Sequence, residues 1–413
     1  MSSDFISSIH SSLRKESIQN AVSGWIFTNF HNRDSFTDTL LSIPPDIVST
    51  RRWIYIVLTD GGEIKIQHAI EPHALDILPS SDTYSYSSRS ELKAILSSIA
   101  EKYGNRFSIL SDENISVIST VDGGFISLLA ECVIDTVTAA PLVQRCKSLL
   151  TLNQIQSQER AGTILYKIVY DVWKMISARY KTAESVTEYE VQQFIMKQYE
   201  DNGLVTDHPP IVAFGPNSGN PHYEPSESES ATAREGDVIQ LDMWAKEKSS
   251  NAVYADISWV GYFGTAVPHD ISACWQTLIQ ARDSVCTLIR QKMTSEEKLS
   301  PEDAHITGAI LDENVRRILI NAGQGKGIRH RTGHGIDTEC HGSGVNLDSV
   351  EFPDNRYLLE GSSFSVEPGL YFEEFGLRTE IDVYIKNGLP VISGKQNIQC
   401  PLEIPQKDIL TIL

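Results

Sequence analysis

The side chains whose types and spacing favour metal chemistry lie in the second half of this sequence. Asp242 and Asp256 lie on neighbouring apolar runs, and they are followed by His334, Glu367 and Glu380. Four carboxylates and one imidazole are a ligand set that suits two hard divalent cations sharing ligands. The sequence therefore predicts a dinuclear metal site with hydrolytic chemistry.

Two strands are predicted to carry the aspartates. Val238 to Leu241 and Val253 to Val260 are apolar, and the polar stretch Lys246 to Asn251 between them resembles a hairpin tip. If the strands pair around this tip, Asp242 and Asp256 face each other with their Cβ atoms about 5 Å apart. Two ionised carboxylates at that distance require a cation or a shared proton. The alternative is that they are unrelated surface aspartates.

A glycine-rich segment supplies the candidate imidazoles. His330, His334 and His341 lie close together, and Gly333 and Gly335 flank the central one. Glycine permits backbone paths that bring a side chain close to a metal. Histidine offers a neutral nitrogen ligand or a proton shuttle with a pKa near 6.5. The alternative is a set of solvated loop histidines.

Each glutamate lies in a strand-like context. Glu367 follows the strand-like Ser363 to Val366 and precedes the turn Pro368-Gly369, and Glu380 lies inside Leu377 to Ile385. A glutamate that points inward from a strand needs a partner, and a metal ion is an efficient one. Either residue alone is equally compatible with a solvent-facing position.

Composition and charge limit the classes of protein to which the chain can belong. Its 413 residues are enough for two domains that each bury a core. The net charge of −19 repels phosphate backbones, so no nucleic-acid partner is expected. The longest apolar runs, such as Trp53 to Leu58, fall far short of the roughly 20 residues of a membrane-spanning helix. We therefore expect no membrane partner.

Cysteine usage and the start of the sequence favour the cytoplasm. Residues 1–15 are polar and serine-rich, without the apolar segment of an export signal. The cysteines are scattered without a C-x-x-C pair, which argues against a disulfide framework and against a cysteine zinc cluster. They are Cys132, Cys146, Cys274, Cys286, Cys340 and Cys400.

The first part of the chain alternates strand and helix patterns. Trp53 to Leu58, a glycine turn and the alternating stretch from Ile64 to His68 predict a hairpin. A helix is predicted from about Ser90 to Gly104, and further strands at Phe107 to Leu110 and Ile115 to Ile118. These patterns together predict an α/β domain over residues 1–155.

The pattern then changes to long helices. An apolar stripe from Ile164 to Ile176 predicts a helix that lies on a sheet. Thr187 and Glu190 predict a capping box at the start of the next helix, which Gly203 would close. Helices alternate with paired strands, so we predict a second α/β domain over residues 156–413.

The five candidate ligands, in this chain order and in these local contexts, resemble the pita-bread metallopeptidases, which include aminopeptidase P, prolidase and methionine aminopeptidase. The region before about residue 155 resembles the N-terminal domain that aminopeptidase P, prolidase and creatinase share. The resemblance implies a creatinase/prolidase-like α/β domain followed by a pita-bread catalytic domain. It favours the branch that acts on Xaa-Pro peptides.

The resemblance also implies a role for each site residue. Asp242 would bind one cation, Asp256 and Glu380 would bridge both, and His334 and Glu367 would complete the second. The implied catalytic residues are His341 for the tetrahedral intermediate or a proton, Glu367 as proton acceptor, His330 lining the pocket, His222 contacting the substrate and Arg378 supporting the ligands. Manganese is favoured, with cobalt, zinc or iron as alternatives.

Some positions depart from the family pattern. Ser258-Trp259-Val260 stands where relatives often carry Arg-Thr, and the separation of the two aspartates is longer than usual. After His341 the chain has no nearby arginine, whereas some prolidases use one there to hold the substrate's free carboxylate. Arg356 is a candidate substitute. A strict dipeptidase is therefore less favoured.

These features together predict an exopeptidase that releases the N-terminal residue from peptides with proline in second position. The proline preference comes from the resemblance alone. Xaa-Pro dipeptidase is the alternative within the enzymes, and a noncatalytic pita-bread binding protein is the alternative outside them. Peptide is the expected partner, and a homodimer is a candidate assembly because relatives use the N-terminal domain for assembly.

Overall fold

A computed structural model of the chain describes residues 2–47, 49–294, 304–395 and 399–413. The chain divides into two compact units, Met1–Lys147 and Ser148–Leu413. The domain boundary predicted near residue 155 lies inside the long helix Leu152–Lys181, and the assignment of the two domains stays a prediction. Within the described ranges, every helix is too short or too polar to cross a membrane.

The first unit is a mixed sheet with helices. Its helices are α1 (Ser2–Asn20), α2 (Ser35–Leu41), α3 (Arg89–Tyr103), α4 (Gly123–Glu131) and α5 (Ala140–Val143). Its strands are β1 (Gly24–Asn29), β2 (Trp53–Leu58), β3 (Glu63–His68), β4 (Asp82–Tyr86), β5 (Arg106–Ile109) and β6 (Asp135–Thr138). They form one sheet in the order β4-β3-β2-β1-β5-β6.

Both faces of this sheet are buried. Trp53 and Tyr55 of β2 pack in the core that contains α1, whereas Ile54 and Ile56 pack in the core that contains α3. Because alternate side chains of a strand point to opposite faces, a strand covered on both sides reads as a continuous apolar run. This burial explains the unbroken apolar stretch of β2 in the sequence.

Most local predictions for this unit are confirmed. β2 and β3 form the predicted antiparallel hairpin. The predicted helix is α3, and Gly104 ends it with a positive φ of 100°. The strand predicted at Ile115 to Ile118 is wrong, because residues 116–118 form a single 3-10 turn. The Asp112 carboxylate accepts hydrogen bonds from the backbone N–H groups of Asn114 and Ile115, which stabilises a turn at this point.

The second unit contains long helices and several small sheets. Its helices are α6 (Leu152–Lys181), α7 (Glu188–Asp201), α8 (His269–Thr294) and α9 (Gly308–Asn321). Its strands are β7 (Leu204–Val205), β8 (Ile211–Phe214), β9 (Val238–Glu247), β10 (Ala255–Tyr262), β11 (Ser363–Val366), β12 (Gly369–Tyr371), β13 (Gly376–Arg378), β14 (Ile381–Lys386), β15 (Leu389–Ile392) and β16 (Leu410–Thr411).

Two long antiparallel strands organise this unit. β9 and β10 pair with each other, β7 and β8 pair with β9, and β16 pairs with β10. β11, β14 and β15 form a three-stranded sheet, and β12 pairs with β13. The apolar stripe of α6 packs in one core with side chains of β9 and β10, as predicted, and a second core contains α8 and α9. The β9–β10 pair thus packs against helices through both of these cores.

The helix and strand boundaries mostly follow the sequence pattern. Thr187 and Glu190 form the predicted capping box at the start of α7, and Gly203 has the positive φ expected after its end. The run Leu377 to Ile385 is an exception. It forms two strands, β13 and β14, that are separated at Thr379 and Glu380, so Glu380 lies between strands rather than within one.

Candidate metal centre

β9 and β10 carry the two candidate aspartates. Both are buried, and both point to the same face of the strand pair. The register places Ser258 opposite Asp242 and Trp244 opposite Asp256. The prediction that the aspartates lie directly opposite each other is therefore wrong. A shift of two residues keeps the same side chains on the same face, so the aspartates are diagonal neighbours.

The residue that does face Asp242 is a serine. The Ser258 hydroxyl lies 3.0 Å from Asp242 Oδ1 and 2.9 Å from Glu380 Oε2, and it accepts a hydrogen bond from Arg378 Nε at 3.0 Å. A hydroxyl has a single proton, so it can donate to only one of these carboxylates at a time. Hydrogen bonding by Ser258 therefore leaves the charges of the two carboxylates largely uncompensated.

Close backbone packing fixes the position of His334. A Cβ atom on Gly333 would lie 2.0 Å from Ser365 O, and one on Gly335 would lie 2.5 Å from the carbonyl carbon of Gly344. Only glycine permits these approaches. Ser365 Oγ also accepts a hydrogen bond from His334 N at 3.0 Å. The imidazole is consequently held in the interior.

The hydrogen bonds of His334 orient its ring for ligation. Nδ1 lies 3.3 Å from Gly335 O, an acceptor, which assigns the ring proton to Nδ1. Nε2 lies 3.5 Å from Asp256 Oδ2 and 3.4 Å from Glu367 Oε1. In this tautomer the Nε2 lone pair faces two carboxylates, as in a metal ligand whose other nitrogen is hydrogen-bonded to a carbonyl group.

Two carboxylate oxygens of the predicted ligands are buried and have no hydrogen-bond partner among the described residues. They are Asp256 Oδ1 and Glu380 Oε1. Their side chains are nearly inaccessible, with relative exposures of 4% for Asp256 and 2% for Glu380. A buried unpaired acceptor is destabilising by about 1–3 kcal/mol, and by more when it is charged. A divalent cation would satisfy both oxygens.

The electrostatics of the cluster are those of crowded acids. Burial, and then the neighbouring carboxylates, raise the pKa of Asp256 and of Glu380 well above their usual range. Burial alone would raise the pKa of Glu367 too, but His334, His330 and Arg378 bring its pKa below the usual value. Without a cation, part of the cluster must therefore hold protons at neutral pH.

The ligand atoms are close enough together to bind cations. Three groups have ligand atoms within 4.8 Å of one another: Asp242, Asp256 and Glu380; His334, Glu367 and Glu380; and Asp256, His334 and Cys340. These groups contain all five predicted ligands. Because Glu380 and Asp256 each belong to two groups, the arrangement fits two cations that share carboxylates.

All predicted site residues line a single cavity of about 190 Å³. Its lining comprises the predicted residues His222, Asp242, Asp256, His330, His334, His341, Glu367, Arg378 and Glu380, together with Ile211, Pro221, Trp244, Arg331 and Cys340. Segments far apart in the sequence thus converge on one concave site. The structure brings the predicted residues together, and their individual roles stay predictions.

A hydrogen-bond chain supports Asp242 and fixes His330. Arg378 Nη2 donates to Asp242 Oδ2, and Arg378 Nη1 donates to the Tyr371 hydroxyl at 2.8 Å. His330 Nδ1 lies 2.6 Å from Arg331 O, and its Nε2 lies 2.8 Å from the Tyr371 hydroxyl, which can donate to it. Both nitrogens of His330 are therefore used within the protein. Burial lowers the pKa of His330, consistent with a neutral ring.

The other two predicted histidines are accessible from solvent. His222 and His341 are both exposed at the edge of the cavity. The ring of His341 lies 4.3 Å from that of His334, measured between centroids. The charge that His334 can carry, followed by the partial burial of the imidazole ring, lowers the pKa of His341 to about 4. The His341 imidazole is consequently neutral near pH 7.

Five residues that line the cavity were not among the predicted site residues: Ile211, Pro221, Trp244, Arg331 and Cys340. Arg331 and Cys340 are adjacent in sequence to predicted histidines, which is the only local signal for them. Trp244 follows Asp242 by two positions and so lies on the same face of β9.

The suggested role of Arg356 is not supported by its position. Arg356 is buried and donates to the Asp354 carboxylate and to the carbonyl groups of Ser343 and Gly344. It is absent from the described lining of the cavity. A guanidinium held in this way stabilises the loop around it, and its donors are already used.

Comparison with known proteins identifies the family. Residues 157–387, more than half of the chain, match the metallopeptidase family M24. A relative from Mycoplasma genitalium named "Putative Xaa-Pro aminopeptidase" is 26% identical over 241 residues, which are 57% of this chain and 59% of the relative. Alignments with four curated relatives span 44% to 63% of those proteins' lengths.

Solved structures show the same fold. Dipeptidase PepE from Mycobacterium ulcerans is 16% identical, with a TM-score of 0.70 over 100% of this chain and 99% of that chain. X-prolyl aminopeptidase from Caenorhabditis elegans, described as a cytosolic enzyme with a di-nuclear active site, is 17% identical, with a TM-score of 0.61 over 92% of this chain and 58% of that chain. The predicted α/β fold with pita-bread architecture is confirmed. This chain belongs to the metallopeptidase family M24.

Proposed function

We propose that the protein is a dinuclear metal-dependent exopeptidase that releases the N-terminal residue from peptides with proline in second position. The observation that carries this proposal is the convergence of four carboxylates and one imidazole on one cavity, with two carboxylate oxygens buried and unpaired. Asp242, Asp256, His334, Glu367 and Glu380 would hold two cations, which supply Lewis-acid polarisation of the carbonyl and a lowered pKa for a bound water.

The surrounding side chains have distinct tasks in this proposal. Arg378 orients Asp242 through a charged hydrogen bond. Glu367, whose pKa lies below its usual value, would be ionised and would accept the proton that the attacking water gives up. His330 cannot exchange protons with the substrate without breaking its contacts to Arg331 and Tyr371, so it would shape the pocket.

His341 is proposed as the group that stabilises the developing oxyanion. Its neutral ring carries one N–H, and the side chain reaches the cavity from the solvent side. A hydrogen-bond donor at a developing oxyanion typically contributes about 2.7–4 kcal/mol to lowering the barrier. His222, exposed at the same edge, would contact the substrate near the scissile bond.

The proposed preference for proline has a chemical basis but rests on the relatives. An Xaa-Pro bond is a tertiary amide without an N–H, and the pyrrolidine ring restricts φ. A dedicated pocket is therefore required. Trp244 and Ile211 provide apolar surface in the cavity lining for such a ring.

One observation favours Xaa-Pro dipeptidase as a second candidate. Arg331 lines the cavity and is partly exposed. Within the part of the chain that the structure describes, no carboxylate lies within 4.0 Å of its guanidinium. An unpaired arginine in a substrate cavity can bind a free carboxylate through two hydrogen bonds. A dipeptide presents that carboxylate directly after proline.

A panel of three peptides separates the candidates. Metal-free protein is incubated with Mn(II) and Ala-Pro, Ala-Pro-Ala or Ala-Ala-Ala, and released alanine is quantified. An aminopeptidase cleaves Ala-Pro-Ala, whereas a dipeptidase cleaves only Ala-Pro. Release from Ala-Ala-Ala at an equal rate would contradict the proline preference. No turnover with manganese, cobalt, zinc or iron would favour a noncatalytic binding protein.

Substitution of Arg331 tests the second candidate directly. If Arg331 binds the carboxylate of Ala-Pro, Arg331→Met should raise KM for Ala-Pro by about tenfold or more while leaving Ala-Pro-amide unaffected, because the loss of a charged hydrogen bond is worth about 1.5–3 kcal/mol. Arg317→Met on α9 is the control. Equal effects on Ala-Pro and on Ala-Pro-amide would show that Arg331 does not bind the free carboxylate.

A cytoplasmic location and a homodimer stay predictions.

A further inference from the structure

Cys340 is a potential metal ligand that the family resemblance does not include. Its side chain is 3% exposed and lines the cavity. Its Sγ atom lies 3.1 Å from Asp256 Oδ2. Cys340, Asp256 and His334 form one group whose ligand atoms lie within 4.8 Å of one another.

The two distances from Asp256 Oδ2 fit a cation that this oxygen shares with Cys340 and His334. With a metal–sulfur bond of about 2.3 Å and a metal–oxygen bond of about 2.1 Å, the 3.1 Å between Sγ and Oδ2 subtends about 90° at the cation. The 3.5 Å between His334 Nε2 and Asp256 Oδ2 subtends about 113° for bonds of about 2.1 Å. Both angles lie in the range that zinc or cobalt accepts in four- or five-coordinate sites.

The other oxygen of the Asp256 carboxylate also lacks a partner in the described part of the chain, as expected if Asp256 binds cations through both of its oxygens. Asp256 Oδ1 is buried without a hydrogen-bond partner among the residues that the structure describes. The thiol by itself would be only a weak hydrogen-bond donor to the other oxygen, Oδ2. A cation between Sγ and the Asp256 carboxylate would give the sulfur and the carboxylate a much stronger interaction than the S–H···O contact that they make without it.

We propose that Cys340 Sγ is a ligand of the cation that Asp256 and His334 bind. The inference rests on the proposed metal site and adds a sulfur donor to it. Binding replaces the S–H bond by a metal–sulfur bond, and the proton leaves to solvent. Because thiolate is a soft ligand, this site selects zinc, cobalt or iron(II) over the manganese that carboxylates alone would suit.

Cobalt substitution tests the sulfur donor without relying on activity. The intact, metal-free protein is loaded with Co(II), and its absorption spectrum is recorded. We expect visible d–d bands and a near-ultraviolet sulfur-to-cobalt charge-transfer band. Cys340→Ser and Cys340→Ala should lose the charge-transfer band and keep the d–d bands. Cys286→Ser, which removes a buried thiol on α8 away from the cavity lining, should keep both.

X-ray absorption of the zinc-loaded protein gives an independent measurement. The parent should show a sulfur scatterer at about 2.3 Å, and Cys340→Ser should show only nitrogen and oxygen at about 2.0–2.2 Å. Circular dichroism establishes that each variant is folded. Zinc bound without a sulfur scatterer in the parent would overturn the role of Cys340 and leave the five-ligand site intact.

The remaining outcomes separate this inference from the proposed function. A folded parent that takes up neither cobalt nor zinc would overturn both the sulfur ligand and the metal site. A sulfur-bound metal in a protein that hydrolyses none of the three peptides would support the Cys340 ligand and overturn the proposed peptidase activity alone.

Discussion

Replacing Glu380 by glutamine should stabilise the metal-free protein. Ligand atoms of Glu380 and Asp256 lie within 4.8 Å of each other, and both side chains are buried. Because the pKa of Glu380 is raised well above its usual range, the metal-free protein must either keep this carboxyl protonated or accept its repulsion from Asp256, and at pH 7 either costs on the order of 3 kcal/mol. Glu380→Gln removes this cost, and its amide oxygen can still accept the hydrogen bond from Ser258.

The expected shift in melting temperature follows from this free energy. A gain of about 3 kcal/mol raises Tm by about 6–12 °C for a unit of this size. When metal is added, the parent should become more stable than Glu380→Gln. At a free cation concentration of about 100 times Kd, the parent gains about 2.7 kcal/mol per site, whereas the variant lacks a bridging ligand and gains little.

Thermal unfolding followed by circular dichroism, with and without Zn(II), measures both effects. Glu313→Gln, which removes an exposed carboxylate from α9, is the matched control and should leave both melting temperatures unchanged. The reasoning is refuted if Glu380→Gln is less stable than the parent in metal-free buffer. It is also refuted if metal stabilises the two proteins equally.

Further predictions concern protonation, the oxyanion and the support of Asp242. The Tm advantage of metal-free Glu380→Gln should be smallest below about pH 4, where the glutamate is protonated even in the unfolded chain. The advantage should grow as pH rises from there towards the raised folded-state pKa of Glu380, because the parent then loses the stability that its protonated carboxyl provides. An advantage that does not change with pH would contradict this prediction. His341→Ala should lower kcat by about 10²–10³-fold with a smaller change in KM, and the kinetics of Ala-Pro-Ala hydrolysis measure both. An unchanged kcat would show that His341 does not stabilise the oxyanion. Arg378→Met should lower the free energy of unfolding by about 3–5 kcal/mol in urea titrations of metal-free protein, because Asp242 is left as a buried charge without its partner. A loss below about 1 kcal/mol would show that the ion pair contributes little.

Local signals explain why much of the fold was predictable. The β2–β3 hairpin, the capping box of α7 and the positive φ of Gly203 each depend on a few adjacent residues. The glycines around His334 also carry a local signal, since only glycine fits beside Ser365 and Gly344. At such positions, the type of residue directly determines the conformation of the backbone.

Long-range geometry was not predictable in the same way. The register of β9 and β10 depends on how the connection after residue 247 closes, and two registers that differ by two residues give the same pattern of buried side chains. The pairing of Asp242 with Ser258 could therefore not be derived from apolar alternation. The 3-10 turn at Ile118 depends on the side chain of Asp112, which competes with a strand for the same backbone groups.

The directions in which loop side chains point could not be predicted from the sequence either. Arg331 and Arg356 are both loop arginines, yet Arg331 reaches the cavity while Arg356 is held by Asp354. Nothing in the sequence near either residue distinguishes the two outcomes. Cys340 similarly enters the site only because its loop folds back on Asp256.

Counting the cations that the folded chain retains is the most direct test of the proposed centre. Purified protein is stripped with chelator, reloaded with excess Zn(II), desalted and analysed for zinc and protein together. We expect two zinc ions per chain for the parent and fewer for Glu380→Gln. A parent that retains no zinc after this treatment would contradict the proposed metal centre.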